Sequence, residues 1–530
     1  MADVSRRGFL FGLASLATLA ACGTGDDPAG GSGEKAAVQE LTMGISNLPT
    51  SLDPMAVLGG NPRRYDIFDA LFDLDPGKAT ILPMLATAWE QVSPTSLKIT
   101  LRTDAKFHNG AAMTSADVVF SLKRAATSTL ATASLMTSMA DVTAGDASTV
   151  TVTMKSADAL FLKKLARVAI LPEQYFTGLG ADEKTRAAAF ADKPIGTGPY
   201  KLASHDTTQW VLTKFDDGWR KGTLTKVTIR SMTDAASQVA AFTSGQVQYI
   251  NLVPLAQLAA IKSGGGNVVT YTGGNNLGAF LDTIDYSGNP KSGPMGKKEV
   301  RQALNYAIDK QTLIKNVLQG QTEGGNGQLA TPGAVGYDES LQDYPYDAAK
   351  AESLLDAAGY PKGPDGTRFT ITMASAFASP GSVRRLIGEY VQNQLGKVGV
   401  KVQYTAMTDT TLQTDMFYAR KARADIFHYG LFTRPYLEPL GAFAWFIGSS
   451  ATRHYSNPEF DALYKQALTE LDDAKRGALS KQLAQIMHDD APFLFLTQDV
   501  WIDAGSKKLA GMIKSEVETD QYLDKLYLTA

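Results

Sequence analysis

The stretch KFHNGAAMTSADVVFSLKRA, residues 106–125, contains a turn followed by a helix with a readable boundary. In Phe-His-Asn-Gly the pair Asn109-Gly110 suits a chain reversal, because both residues tolerate positive φ. Thr114 then stands as an N-cap with Asp117 three residues on, the spacing of a capping box. Val118, Val119 and Leu122 fall on one face of the helix that follows. The stretch is a turn feeding an amphipathic helix.

Outward from it, LKITLR (97–102), TVTVTM (149–154) and FTITM (369–373) alternate apolar and polar residues with the period of half-buried strands. KEVRQALNYAIDKQTLIKNVLQG carries Val300, Leu304, Ala307 and Ile308 at helical spacing and is expected to run to Gly320. DAAKAESLLDAAGY repeats the grammar, with Asp347 as cap, Leu354, Leu355 and Ala358 inward and Gly359 as terminator. SGGGN (263–267) and TEGGNGQ (322–328) read as loops, and no internal repeat occurs. Strands and helices alternate without strict period, so the class is α/β or α+β.

A chain of 530 residues calls for two or three domains. Fifty-one basic against 54 acidic residues leave no excess of positive charge for a phosphate backbone, so nucleic acid is not an expected partner. The single cysteine, Cys22, excludes an internal disulfide and any cysteine-rich metal site.

The position of Cys22 gives it another meaning. MADVSRRGFLFGLASLATLAAC has Arg6 and Arg7 before an apolar run, Gly8 to Ala21, that is short for a bilayer and ends in small residues. Residues 1–22 read as an export signal; SRRGFL resembles a twin-arginine signal and LAAC a lipobox, in which the cysteine carries lipid. Its removal takes away Asp3, Arg6 and Arg7, a net +1, and shifts the charge from −3 to near −4. The Gly/Ser/Asp-rich residues 23–40 form a tether reaching roughly 20–25 Å.

Catalytic signatures are sparse. The sequence has no G-x-S-x-G elbow, no H-E-x-x-H and no Walker A loop. The histidines His108, His205, His428, His454 and His488 lack the i, i+3 or i+4 spacing of a local metal face, although His428 and His454 could meet in space. Paired carboxylates for acid–base work would not show in sequence.

Several segments then fall into a familiar order. The stretch 106–125 resembles the F-H-D/N-G-x-x-x-T-A-x-D-V-x-F-S signature of family 5 extracellular solute-binding proteins, the peptide/nickel-type receptors of ABC importers, with Ser115 where alanine is usual. KPIGTGPYKL (193–202) is similar to the family's P-V-G-T-G-P-Y, and Gly198 is read as supplying freedom before Pro199. VRQALNYAIDK (300–310), AESLLDAAGY (351–360), VQNQLGKVGVKV (391–402) and YSNPEFDALYKQAL (455–468) continue the likeness in order.

The resemblance implies an α/β, three-domain periplasmic binding protein-like fold with two lobes joined by hinge strands. One lobe would be assembled from residues 41–73, 193–272 and 492–530, with a domain of 74–192 inserted; the other would span 273–491. In the family, the segment matching YGLFTRPYLEPLGAFAWF (429–446) borders the cleft, and peptide receptors keep an aspartate four residues before its proline. Counting back from Pro439 gives Pro435, so the anchor for a free amino terminus is missing.

Arg434 and Glu438 stand in that region instead, the first suited to a carboxylate or phosphate. Tyr429, Phe432, Tyr436 and Trp445 are ring candidates, whereas Phe443 and Phe446 are expected in the core. Asn47 and Leu52, after the first strand, are expected on the opposite wall, and Asn276 at the entry to the distal lobe, where Asp282 and Thr283 depart from the family ending. Arg384 and Arg385, on the following helix, are candidate contacts, with solvated surface the preferred reading.

The implied protein is non-catalytic and takes a small peptide-like or opine-like solute to a permease and its ATPase. It would need no cofactor or metal, act as a monomer, and sit outside the cytoplasm on its lipid anchor. An exported hydrolase, or a binding or chaperone module without transport, is the alternative on the same fold.

Overall fold

The computed structural model describes residues 34–57, 64–271, 275–285, 287–407, 424–432, 436–450, 454–515, 517 and 521–530. The signal, Cys22 and most of the tether lie outside them, as do Arg434 and the side chain of Phe432.

Among the described residues the first sheet runs, in spatial order, Asn267–Tyr271, Trp501–Gly505, Tyr249–Ile250, Glu40–Ile45, Lys226–Ser231, Gln209–Lys214 and Tyr200–His205. Glu40–Ile45 pairs in parallel with neighbours on both sides, Lys226–Ser231 and Tyr249–Ile250. A second, antiparallel sheet holds Ala86–Ser93, Ser96–Leu101, Thr149–Met154 and Met139–Asp146. The two share one apolar core, in which Leu41 and Val227 of the first join Ile99 and Val152 of the second and Val118 of helix Ser115–Ala125.

The third sheet orders Val400–Ala406, Phe369–Ser375, Ile426–Phe432, Asn275–Leu281 and Phe493–Gln498. Its first three strands are parallel and the rest antiparallel. Helices Lys298–Tyr306 and Val383–Lys397 cover it with Val300, Leu304, Ile387 and Val391. The chain passes between the first and third sheets twice. Tyr271 pairs with Trp501 on one side of the crossing and Asn276 with Gln498 on the other, so two strands side by side form the hinge. The result is a three-domain α/β fold in two lobes, the proximal one built on the first and second sheets and the distal one on the third.

The two stretches that carry the family likeness touch. Helix Ser115–Ala125 starts where Asp117 accepts the backbone N–H of Thr114 at 2.8 Å, and Gly110 has φ +87°. His108 donates from Nε2 to the Gly198 carbonyl at 3.0 Å and its backbone N–H to the Gly196 carbonyl at 2.9 Å. Burial lowers the His108 pKa to about 4, so the ring is neutral and can both donate and accept here.

Two expectations change. Gly198 is not in the left-handed region; a β-carbon there or at Gly196 would collide with the backbone of Asp66 and Ile67, so close chain approach requires both glycines. The helix from Lys298 ends at Tyr306 rather than running to Gly320, because Asp309 caps a new start by accepting the Thr312 N–H at 2.9 Å. Gly320 still terminates the second piece with φ +67°.

Candidate ligand-binding cleft

In open α/β sheets the carboxyl ends of parallel strands, at the point where chain direction diverges, are where backbone groups and loops leave room for a ligand. In the proximal lobe that place is the end of Glu40–Ile45, between its two parallel neighbours. Asn251 there accepts the Ser46 N–H at 2.8 Å, which fixes the loop bearing the exposed Asn47. In the distal lobe the matching edge is the end of Phe369–Ser375, where Ser375 pairs with His428 and strand Ile426–Phe432 runs on beyond it.

Arg384 lies against that distal edge. It sits in the first turn of helix Val383–Lys397, its side chain only 15% exposed. Gly430 makes this position open: a β-carbon there would come within 3.1 Å of Arg384 Nη2. The guanidinium carbon stands 5.5 Å from the Phe377 ring centre and 5.6 Å from that of Tyr429. Nη1 is buried without a hydrogen-bond partner among the described residues.

Among the described residues the acid that approaches Arg384 is Asp499, 3.9 Å from Nη2, longer than a hydrogen bond. Its carboxylate already receives the Trp501 indole N–H and the Val500 N–H, each at 2.9 Å. Close by, His428 bonds Ser375 Oγ at 3.0 Å, and burial, helped by the charge of Arg384, lowers its pKa to about 3. A guanidinium with a neutral imidazole and two rings around it is a cation short of acceptors, suited to a planar anion such as a carboxylate.

Other expected site residues take different places. Leu52 is in the proximal core. Asn276 is buried and donates its amide to the Leu329 carbonyl at 2.6 Å. Tyr429 belongs to a ring group with Phe427, 6.0 Å away, and Trp445, 6.5 Å away. Phe443 and Phe446 are fully buried. The helix expectation for Arg384 and Arg385 holds for the second alone, which pairs with Glu389 at the surface.

Glu438 is a correction. It is 1% exposed and both oxygens are engaged within the protein: Oε2 accepts from Arg476 Nε at 2.9 Å, and Oε1 accepts from Arg476 Nη2 at 3.0 Å and Lys163 Nζ at 2.8 Å. Lys163 comes from the inserted side of the proximal lobe and also donates to the Tyr436 carbonyl at 2.7 Å. The neighbouring Leu437 packs into the proximal core cluster. The carboxylate therefore joins the lobes and is taken up by internal partners while shielded from solvent. His428 and His454 do not converge, the latter bonding Asp282 at 3.2 Å, and no group of three His, Cys, Asp or Glu suited to a metal occurs among the described residues.

Residues 80–453 match the family model described as bacterial extracellular solute-binding proteins, family 5, middle. The chain belongs to this family. It is 29% identical to the glutathione-binding protein GsiB of Pectobacterium atrosepticum over 90% of this chain and 91% of that one. Heme-binding protein A of Haemophilus influenzae is 27% identical over 89% and 90%.

Among solved structures, NikZ from Campylobacter jejuni in complex with Ni(L-His) superposes with a TM-score of 0.77 at 20% identity, over 92% of this chain and 99% of that one. DppA from Helicobacter pylori in complex with the peptide STSA gives 0.75 at 23%, over 93% and 98%. The family consists of extracytoplasmic binding proteins of ABC importers for peptides and similar solutes. No helix among the described residues is long and apolar enough to cross a membrane.

Proposed function

We propose that this family 5 protein is a non-catalytic, membrane-tethered receptor that encloses a peptide-like solute with a prominent carboxylate and delivers it to an ABC permease. The observation that carries the reading is Arg384, a largely buried guanidinium whose Nη1 has no partner among the described residues, at the edge of the cleft. Leaving such a group without an acceptor is costly, and a ligand carboxylate would remove that cost on binding. Arg434, four residues before Glu438, is assigned as a second cation for the same anion or its neighbour. The relatives' names, glutathione-binding among them, support a small acidic solute. Cys22 carries the lipid and residues 23–40 the tether; the proposed lobes are 41–73 with 193–272 and 492–530, carrying 74–192, and 273–491.

The test is calorimetric titration with N-acetylated dipeptides bearing a free carboxylate and with their C-terminal amides. The acids bind and the amides bind at least about tenfold more weakly, as loss of a charged hydrogen bond of roughly 1.5–3 kcal/mol requires. Arg384→Met abolishes the difference, and Arg434→Ala reduces it. Equal affinity of acid and amide for the unaltered protein overturns the carboxylate reading.

A further inference from the structure

Six non-glycine residues among the described ones have a left-handed backbone: Ala79, Leu252, Gln319, Phe377, Leu437 and Ala491. Large hydrophobic side chains that are exposed form a similarly short group: Val38, Leu82, Val92, Leu252, Tyr346 and Phe377. Only Leu252 and Phe377 belong to both, each 39% exposed. A bulky side chain on a left-handed backbone is unfavourable twice over when it also faces water, so the surrounding structure must impose it.

It does so at both positions. Leu252, φ +53°, is two residues past strand Tyr249–Ile250. Asn251 before it is tied to Ser46, and the Val253 N–H after it binds the Ile502 carbonyl at 2.8 Å. Phe377, φ +54°, is two residues past strand Phe369–Ser375. The Ala376 N–H binds the His428 carbonyl at 3.2 Å and the Ala378 N–H binds the Met407 carbonyl at 2.8 Å. Each side chain is thus fixed outward by hydrogen bonds on both flanks.

The two positions flank the same hinge, one on each lobe. Phe377 lies 5.5 Å from the Arg384 guanidinium, and Arg384 faces Asp499, which holds the Trp501 indole. Trp501 begins the strand whose next residue, Ile502, binds Val253 beside Leu252. The anion-seeking group therefore has an apolar residue presented from either lobe.

We infer that Leu252 and Phe377 are paired apolar jaws that receive a bulky apolar group of the same ligand whose carboxylate meets Arg384. This rests on the carboxylate reading above and narrows it to amphipathic acids, such as peptides or acylated amino acids with an aromatic or branched side chain. The strain keeps both side chains projecting before the ligand arrives, so closure of the lobes would bury them with it.

The experiment compares calorimetric affinities for N-acetyl-Ala-Phe and N-acetyl-Ala-Ala. The unaltered protein prefers the phenylalanine probe by about tenfold or more, the scale of an apolar pocket's discrimination. In Leu252→Asn/Phe377→Asn, where asparagine tolerates the left-handed backbone, the ratio of the two affinities falls toward one. Leu252→Gly/Phe377→Gly gives the same result, and thermal melts of both variants check that they fold. A ratio retained in both double variants, or absent from the unaltered protein, overturns the jaws. Arg384→Met separates the two ideas: it weakens both probes in proportion if the carboxylate reading holds and neither if it fails, while the jaws are judged on the ratio alone. An unaltered protein that binds neither probe overturns both.

Discussion

Arg476 and Arg384 lie in the same lobe, both turned inward, and differ in nearly everything that surrounds them. Arg476 is 3% exposed and grips Glu438 through two nitrogens, with Asp473 at 2.6 Å and the Glu470 carbonyl at 3.1 Å as further acceptors. Arg384, near the hinge, has rings at its faces, an acid beyond hydrogen-bond length and a nitrogen with no partner among the described residues. A buried cation surrounded by its own acceptors is a structural part, whereas one short of them is poised for an anion from outside. The aromatic segment 429–446 contributes to both, Glu438 to the first and Tyr429 to the second.

The largest effect should come from breaking the saturated side. Glu438→Gln removes the charge that compensates Arg476 in a site where both partners are almost wholly desolvated. Removing one partner of a buried pair costs about 3–5 kcal/mol, and with the largely exposed Asp473 still at Arg476, urea denaturation should show a loss toward the lower end of that scale. Arg384→Met should by contrast leave stability nearly unchanged or raise it, since it exchanges an under-satisfied cation for an apolar side chain against two rings. A Glu438→Gln protein as stable as its parent would erase the distinction between the two arginines.

The same comparison shows where sequence reading reaches and where it stops. The α/β class and the turn-to-helix boundary in 106–125 rest on turns and caps, which are written locally in Gly110 and Asp117, whereas the contact of 106–125 with 193–202 and the approach of Gly196 and Gly198 to Asp66 and Ile67 are set by the fold. Glu438 finds Arg476 38 residues on and Lys163 275 residues back, a pairing that no local pattern encodes. Arg384 and Arg385 were inseparable by composition, because adjacent helical residues point about 100° apart and the register of the helix on its sheet decides which is buried. Gly430 was the available signal: a glycine inside a strand pattern marks the close approach of another group, here the Arg384 guanidinium.

A smaller effect should come from Lys163→Met, which cuts a charged contact between the lobes and leaves the Glu438–Arg476 pair intact. Lys163 supplies the ammonium contact to Glu438 and to the Tyr436 carbonyl, and the Ala159 N–H adds a bond to the Leu468 carbonyl at 2.9 Å. Losing the charged contact should shift the equilibrium toward separated lobes by roughly 1–3 kcal/mol. Small-angle scattering of the ligand-free protein should then give a larger radius of gyration for Lys163→Met than for its parent, with an unaltered urea midpoint for the slower, global transition. An identical scattering profile would mean that Leu437 and its apolar contacts hold the lobes together without the ion pair.

The smallest effect concerns pH and tests whether Arg384 is felt by its neighbour. His428 is neutral in the folded protein, its pKa lowered to about 3 first by burial and then by the charge of Arg384, while the unfolded chain takes up that proton near the ordinary value of 6.5. The unfolded state therefore binds more protons as pH falls, and the stability associated with a neutral His428 is full above about 6.5 and lost progressively toward 3. Removing the Arg384 charge relieves the second cause and leaves the first. Arg384→Met should accordingly lose less stability between pH 7 and 3 than the unaltered protein, by under about 1.4 kcal/mol, the equivalent of one pKa unit, with most of the difference appearing below about pH 4. Arg385→Met, which breaks only the exposed pair with Glu389, should follow the parent curve. Coincident curves for all three proteins would show that burial alone governs His428.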